Sequence, residues 1–240
     1  MTTDQIVIVG GARTPVGRFG GAFKDVPAHE LGGRATVAAL QRAGVNGADI
    51  QEVVMGCIGQ VGSDAYNARR VALEAGLPVA TPAYTVNRLC GSGLQAIWSA
   101  AMEMRWNGLD LAVAGGNESM TRMPFYDFEG RSGYRLGNRI LIDGTVMMLT
   151  DPFDGVHMGV TAENVARRYG VSRTEQDDFA AESQRRAASG AARAAFAEEI
   201  VPVDVGAAGP SPSRRMSTPG RRRRWSPSLR CGRPSARGEL

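Results

Sequence analysis

The sequence is poor in cysteine, lysine and aromatic residues, and it has no long apolar run. Three cysteines occur in 240 residues, at 57, 90 and 231. An odd and sparse set argues against a disulfide framework and for a reducing compartment. No apolar stretch approaches the ~18 residues that a membrane-spanning helix needs. The N-terminus, Met1-Thr2-Thr3-Asp4-Gln5, has no basic segment of the kind that opens a signal peptide and runs straight into Ile6. The expected location is the cytoplasm, with no membrane partner. Length and composition suit one large soluble domain or two small ones with a real core.

Lysine is nearly absent. Residues 1–205 hold one Lys, Lys24, against eighteen Arg. The charge is unevenly spread. Residues 206–240 hold nine Arg and one acidic residue, so the whole chain's +4 conceals a body that carries −4. Body and tail are therefore read separately. The tail is built from Arg, Pro, Ser and Gly, with Arg221-Arg222-Arg223-Arg224 in a row, and has no apolar period from which to build a core. A phosphate-binding arm is one reading of such a run. Trp225 alone is too little aromatic surface for stacking on bases, and no nucleic-acid partner is expected.

The body alternates strands and helices. Ile6-Val7-Ile8-Val9 is a β-branched run of the kind buried inside an α/β sheet. The loop from Gly10 to Gly21 follows. Its glycine spacing does not match a dinucleotide fingerprint, and Pro15 falls where a helix should open, so an ordered loop is expected. His29 to Ala43 predicts a helix with Leu31, Ala35, Ala38 and Ala39 on one face, stopped by Gly44. Residues 52–58 predict a second strand, with Cys57 as a structural residue among apolar neighbours. Ala65 to Ala75 predicts a helix, 83–86 a strand, and 110–116 a further strand that ends in the polar turn 117–122. The order βαβαβαβ implies a mostly parallel sheet with helices on both faces. Residues 120–151 show no clear period. Met158, Ala162, Val165, Ala166 and Tyr169 mark one face of a later helix, and Ser172-Arg173-Thr174-Glu175 is a capping box for another that ends near Gly190.

The stretch Asn87-Arg88-Leu89-Cys90-Gly91-Ser92-Gly93-Leu94-Gln95-Ala96 joins the third strand to a helix with apolar residues at Leu94, Ile97, Trp98, Ala101 and Met102. A free cysteine more often simply packs. Here the thiol lies at a strand-to-helix turn, where the helix dipole and free N–H groups favour the thiolate nucleophile. This decapeptide resembles the nucleophile motif of the thiolases, the acetyl-CoA acetyltransferase and 3-ketoacyl-CoA thiolase family. Arg13-Thr14-Pro15 resembles the signature near that family's N-terminus, and His157-Met158-Gly159 its acyl-channel pair.

The resemblance covers about residues 4–205. It implies an N-terminal α/β domain at 1–119 lacking its last strand, a partial helical loop domain at 120–205, and a disordered tail at 206–240. It implies Cys90 as the acyl-thioester nucleophile and His157 and Met158 as substrate-contacting residues. It also implies coenzyme A thioesters as substrates, no permanent cofactor, no metal, and assembly into dimers or tetramers. The family's Gly-His-Pro histidine, its oxyanion-hole Asn and its second cysteine in Cys-x-Gly-Gly-Gly have no match in these 240 residues. Cys231, in Cys-Gly-Arg-Pro, is no substitute. Moving residues 224–234 back by one nucleotide permits Leu-Glu-Ser-Leu-Ala-Ala-Leu-Arg-Pro. The expectation is therefore a frame change between about 206 and 218 in a GC-rich gene. The chain as written is expected to be truncated and nearly inactive. The alternative is a non-catalytic acyl-CoA-binding fragment, or a subunit that needs a separate C-terminal half.

Overall fold

The computed structural model describes residues 5–205, so the reading of the tail at 206–240, Cys231 included, lies outside the described residues. At the centre is a parallel sheet of three strands: β1 (Glu52–Gly56), β2 (Ala83–Val86) and β3 (Ala112–Gly116), in the order β2-β1-β3. Register runs Val53 to Ala83 on one side of β1 and Val53 to Val113 on the other. β1 is central and apolar on both faces, as a parallel strand covered by helices requires.

Alternation along β1 divides the core into two layers. Val53 and Met55 face Val71, Ala68 and Ala72 of α2 (Asn67–Glu74). Val54 faces Ala96 and Ala100 of α3 (Ser92–Asn107). α1 (Ala28–Ala43) packs outside α2 and ends at Gly44, whose left-handed φ of 65° closes the helix. The face of α1 that is buried differs from the one expected. His29, Gly32, Gly33 and Thr36 are buried, while Leu31, Ala35, Ala38 and Ala39 are only half-buried. Close approach explains it: a Cβ at Gly32 would lie 2.8 Å from Val71, and one at Gly33 2.5 Å from Glu74. The glycines let two helix backbones meet where larger side chains would hold them apart.

The same preference for small residues decides α3. Its apolar stripe does not pack on the sheet. Leu94 is 78% exposed and Trp98 66%, and the buried positions are Ser92, Ala96 and Ala100. The Ile6–Val9 run is likewise corrected. It is extended but forms no strand, and Ile8 is 80% exposed. The physical reason is the missing partner. A strand is defined by its neighbour's hydrogen bonds, and no described residue pairs with 6–9. The 10–21 loop is ordered, as expected. Arg13 forms a parallel bridge with Ile200: its N–H donates to Glu199 O (3.0 Å), and Val201 N–H donates to Arg13 O (2.8 Å).

Residues 120–205 hold a short antiparallel pair, β4 (Phe125–Tyr126) with β5 (Ile142–Asp143), then α4 (Gly144–Met148), α5 (Met158–Tyr169), α6 (Arg173–Ala187) and α7 (Gly190–Glu199). The capping box is present: Ser172 and Glu175 exchange side-chain and backbone bonds. α7 begins at Gly190, a residue whose type predicts a helix stop. Ser189 restarts the helix by accepting from Ala192 N–H. None of α5, α6 and α7 buries a residue fully, whereas Val203 beyond them is fully buried against Phe23 and Val26. No helix among the described residues is long and apolar enough to cross a membrane.

Candidate active site

Three parallel strands bring their C-terminal ends to one edge, the position at which such sheets collect functional loops. β2 ends at Val86, and residues 87–91 turn directly into α3. Asn87 Oδ1 accepts from Leu89 N–H (3.0 Å), Gly91 N–H donates to Arg88 O (3.1 Å) and Ser92 N–H to Leu89 O (3.0 Å). None of these bonds uses the Cys90 N–H. Cys90 is exposed, and Cys57 is buried.

α3 can start here because the strand ends beneath it carry no side chains. A Cβ at Gly56 would lie 2.4 Å from the Ser92 carbonyl carbon, and one at Gly116 3.3 Å from Gly93 Cα. The two glycines at the ends of β1 and β3 thus form a seat for the first turn of α3. Beside it, an open groove of about 570 Å³ is walled by Leu94, Ile97, Trp98 and Ala101, with Arg88 at its edge.

The polar turn after β3 braces this edge. Asn117 N–H donates to Gly56 O (3.1 Å), and the Asn117 and Asn67 amides exchange two hydrogen bonds (2.8 and 2.9 Å). The Glu118 carboxylate accepts from Ile58 N–H (2.8 Å) and Gly59 N–H (3.3 Å), and lies 3.7 Å from the Cys57 sulfur. Burial, and then the charge of Glu118, push the Cys57 thiol up from 9.0 to about 12. Cys57 is therefore a protonated, structural thiol, as the sequence suggested. From sequence alone, residues 117–122 read only as a polar turn. The available signal was a run of Asn, Glu and Ser at the C-terminal end of a parallel strand.

His157 and Met158 are both exposed, at the start of α5. His157 caps that helix: Nδ1 accepts from Gly159 N–H (3.0 Å). With Nδ1 accepting, the ring proton is on Nε2. No hydrogen bond or ion pair among the described residues joins His157 or Met158 to Cys90. A second cavity, of about 470 Å³, lies between the 12–19 loop and residues 116–121, and Cys90 does not line it. Among the described residues no group of three His, Cys, Asp or Glu side chains is placed to hold a metal ion.

Comparison with known proteins adds to this geometry. The family model described as "Thiolase, N-terminal domain" matches residues 6–213. The chain is 47% identical over 202 residues to the beta-ketothiolase BktB of Cupriavidus necator, covering 84% of this chain and 51% of the relative. It is 45% identical over 202 residues to an acetyl-CoA acetyltransferase of Chromobacterium violaceum, covering 84% and 52%. Among solved structures, the acetyl-CoA acetyltransferase of Bacillus anthracis superposes with a TM-score of 0.79 at 38% identity, over 82% of this chain and 50% of that one. The chain spans about half the length of the relatives it matches.

Proposed function

The chain belongs to the thiolase family, and on that footing we propose that Cys90 is a covalent acyl acceptor for coenzyme A thioesters. The observation that carries this reading is an exposed thiol at the turn into α3, where the C-terminal ends of the parallel strands converge. In the reaction, Cys90 Sγ attacks the thioester carbonyl, the carbonyl oxygen takes up the negative charge, and coenzyme A leaves as its thiolate while the acyl group stays on sulfur. The Cys90 N–H supplies one donor for the oxyanion. The acyl group then passes from sulfur to the carbon of acetyl-CoA, forming the new C–C bond; in thiolysis Cys90 instead attacks the 3-keto carbonyl, acetyl-CoA leaves as its enolate and takes up a proton, and the coenzyme A thiolate removes the acyl group from sulfur. His157, through Nε2–H, and Met158 contact the acyl-CoA. The working assembly is a dimer or tetramer.

These 240 residues contain no Gly-His-Pro and no Cys-x-Gly-Gly-Gly. Without a histidine to take the thiol proton and a second cysteine to move the proton at carbon, turnover by this chain alone falls by about 10²–10⁴ for each missing proton-transfer group. A specific observation favours a second reading alongside the first. The α3 stripe and the Ile6–Val9 run are apolar and exposed, as befits a half that docks onto a separately supplied C-terminal half.

The test is to incubate the purified chain with acetyl-CoA and locate any acetyl group by peptide mass spectrometry. Acetylation at Cys90 that is lost in Cys90→Ser supports the reading. Absence of acetylation at Cys90, both alone and after co-expression with the C-terminal half of a thiolase, sinks it.

A further inference from the structure

Leu89 is the only non-glycine residue among those described with a positive φ, at 48°. L-residues other than Asn and Asp avoid this left-handed region because Cβ crowds the following carbonyl. Packing does not compensate, since the Leu89 side chain is 62% exposed. What holds the conformation is hydrogen bonding: Asn87 Oδ1 accepts from Leu89 N–H (3.0 Å), and one buried side chain on the other flank of the turn makes two bonds. Ser92 Oγ accepts from Arg88 N–H (2.9 Å) and donates to Leu89 O (2.6 Å), while Ser92 N–H donates to the same Leu89 O (3.0 Å). Ser92 is itself 5% exposed and pressed onto the backbone of Gly56.

Both lone pairs of the Leu89 carbonyl oxygen are thereby engaged. That carbonyl and the Cys90 N–H belong to one planar trans peptide and point in opposite directions. Fixing the oxygen therefore aims the N–H. We propose that Ser92 is a positioning residue: by locking Leu89 in the left-handed conformation, its hydroxyl sets the direction of the Cys90 N–H toward the developing oxyanion. The inference rests on the reading of Cys90 as acyl acceptor. It adds the device that orients the donor.

The test compares two reactions of Cys90 in the 240-residue chain. Acylation by acetyl-CoA needs the oxyanion donor; alkylation by iodoacetamide needs only the thiol. Ser92→Ala should slow maximal acylation by about 10–100-fold, below the loss expected for deleting an oxyanion donor outright. The apparent affinity for acetyl-CoA should be unchanged and the alkylation rate should stay within about threefold. Ser92→Thr, which keeps the hydroxyl, should acylate near the wild-type rate. Leu89→Gly enters the left-handed region freely, so adding it to Ser92→Ala should restore part of the lost rate. Leu89→Val touches no buried group but resists that region. It should lose acylation while folding normally, and it stands in for Ser92→Ala if that variant does not fold. Equal slowing of acylation and alkylation, or normal acylation in Leu89→Val, overturns the proposal.

If the wild-type chain alkylates but acylates neither alone nor after co-expression with the C-terminal half of a thiolase, the acyl-acceptor reading fails. The lock is then judged by amide hydrogen exchange: protection at Arg88 that Ser92→Ala abolishes upholds it, and an unprotected Arg88 in the wild type overturns it.

Discussion

Gly56 and Ser92 are in backbone contact: a Cβ at Gly56 would sit 2.4 Å from the Ser92 carbonyl carbon and 2.6 Å from its oxygen. No side-chain rotation relieves a clash with backbone. Gly56→Ala must lift the first turn of α3 off β1, disturbing the Cys90 turn and the packing of Ala96 on Val54. The expected loss is about 1–3 kcal/mol, typical of overpacking, read by urea denaturation, with altered Cys90 alkylation. A variant as stable as the wild type would show that this contact is slack.

The two described cysteines should separate cleanly by reactivity. Cys57 is buried and its thiol lies at about 12, so at pH 8 it is protonated and shielded. Iodoacetamide should modify Cys90 under native conditions and reach Cys57 only after denaturation. A raised thiol in the folded state also gives a direction to alkaline stability. Below 9.0 both folded and unfolded Cys57 are protonated and stability is full. Between 9.0 and about 12 the unfolded thiol ionises first, and stability declines with rising pH. Cys57→Ala should flatten that decline in denaturation curves taken across the window.

His29 should produce the opposite slope in acid. Burial lowers its pKa below 6.5, and the Arg70 guanidinium adds to this, against the opposing negative charges of Asp64, Glu30 and Glu74. Its Nδ1 has no hydrogen-bond partner among the described residues and lies 3.8 Å from Asp64. Above 6.5 the imidazole is neutral in both states and stability is retained. As pH falls below 6.5 the unfolded state takes up the proton first, and stability is lost. Thermal melts of His29→Gln should show a weaker acid-side decline than those of the wild type. Parallel curves would place the acid sensitivity elsewhere.

The exposed stripe on α3 should dominate solubility. Leu94 and Trp98 face outward among the described residues, and contiguous apolar surface of this kind drives association. Replacing both with Glu should reduce aggregation in light scattering at unchanged far-UV circular dichroism. It should also abolish any stabilisation gained by co-expression with a thiolase C-terminal half.

Strands within 52–58, 83–86 and 110–116, of which 52–56, 83–86 and 112–116 form, and the helix ends at Gly44 and Ser172 were legible because each depends on local chemistry: β-branched runs, a glycine free to adopt positive φ, a serine three residues before a glutamate. Cys90 as the nucleophile candidate came instead from the resemblance of residues 87–96 to the thiolase motif; small neighbours alone leave a packing cysteine equally open. The structure departs from composition and period at the apolar stripes of α1 and α3 and at the Ile6–Val9 run, all of which predict burial. Burial, however, is a relation to another element, and the described chain offers none to the α3 stripe or to Ile6–Val9.

What the sequence determined by itself was the alternation of strands and helices, the family, and the identity of the exposed thiol. Each of these is written in residue type and short-range spacing. The tertiary structure alone decided which faces the helices bury. Gly32, Gly33, Gly56 and Gly116 permit backbone contacts that no periodicity reveals. It alone placed Glu118 on the turn after β1, sixty residues away in sequence. It also converted Ser92 from a small neighbour of Cys90 into the group that holds the Leu89 backbone. A hydrogen bond across a turn depends on dihedral angles that the neighbouring strand ends impose, and those are set only when the sheet has formed.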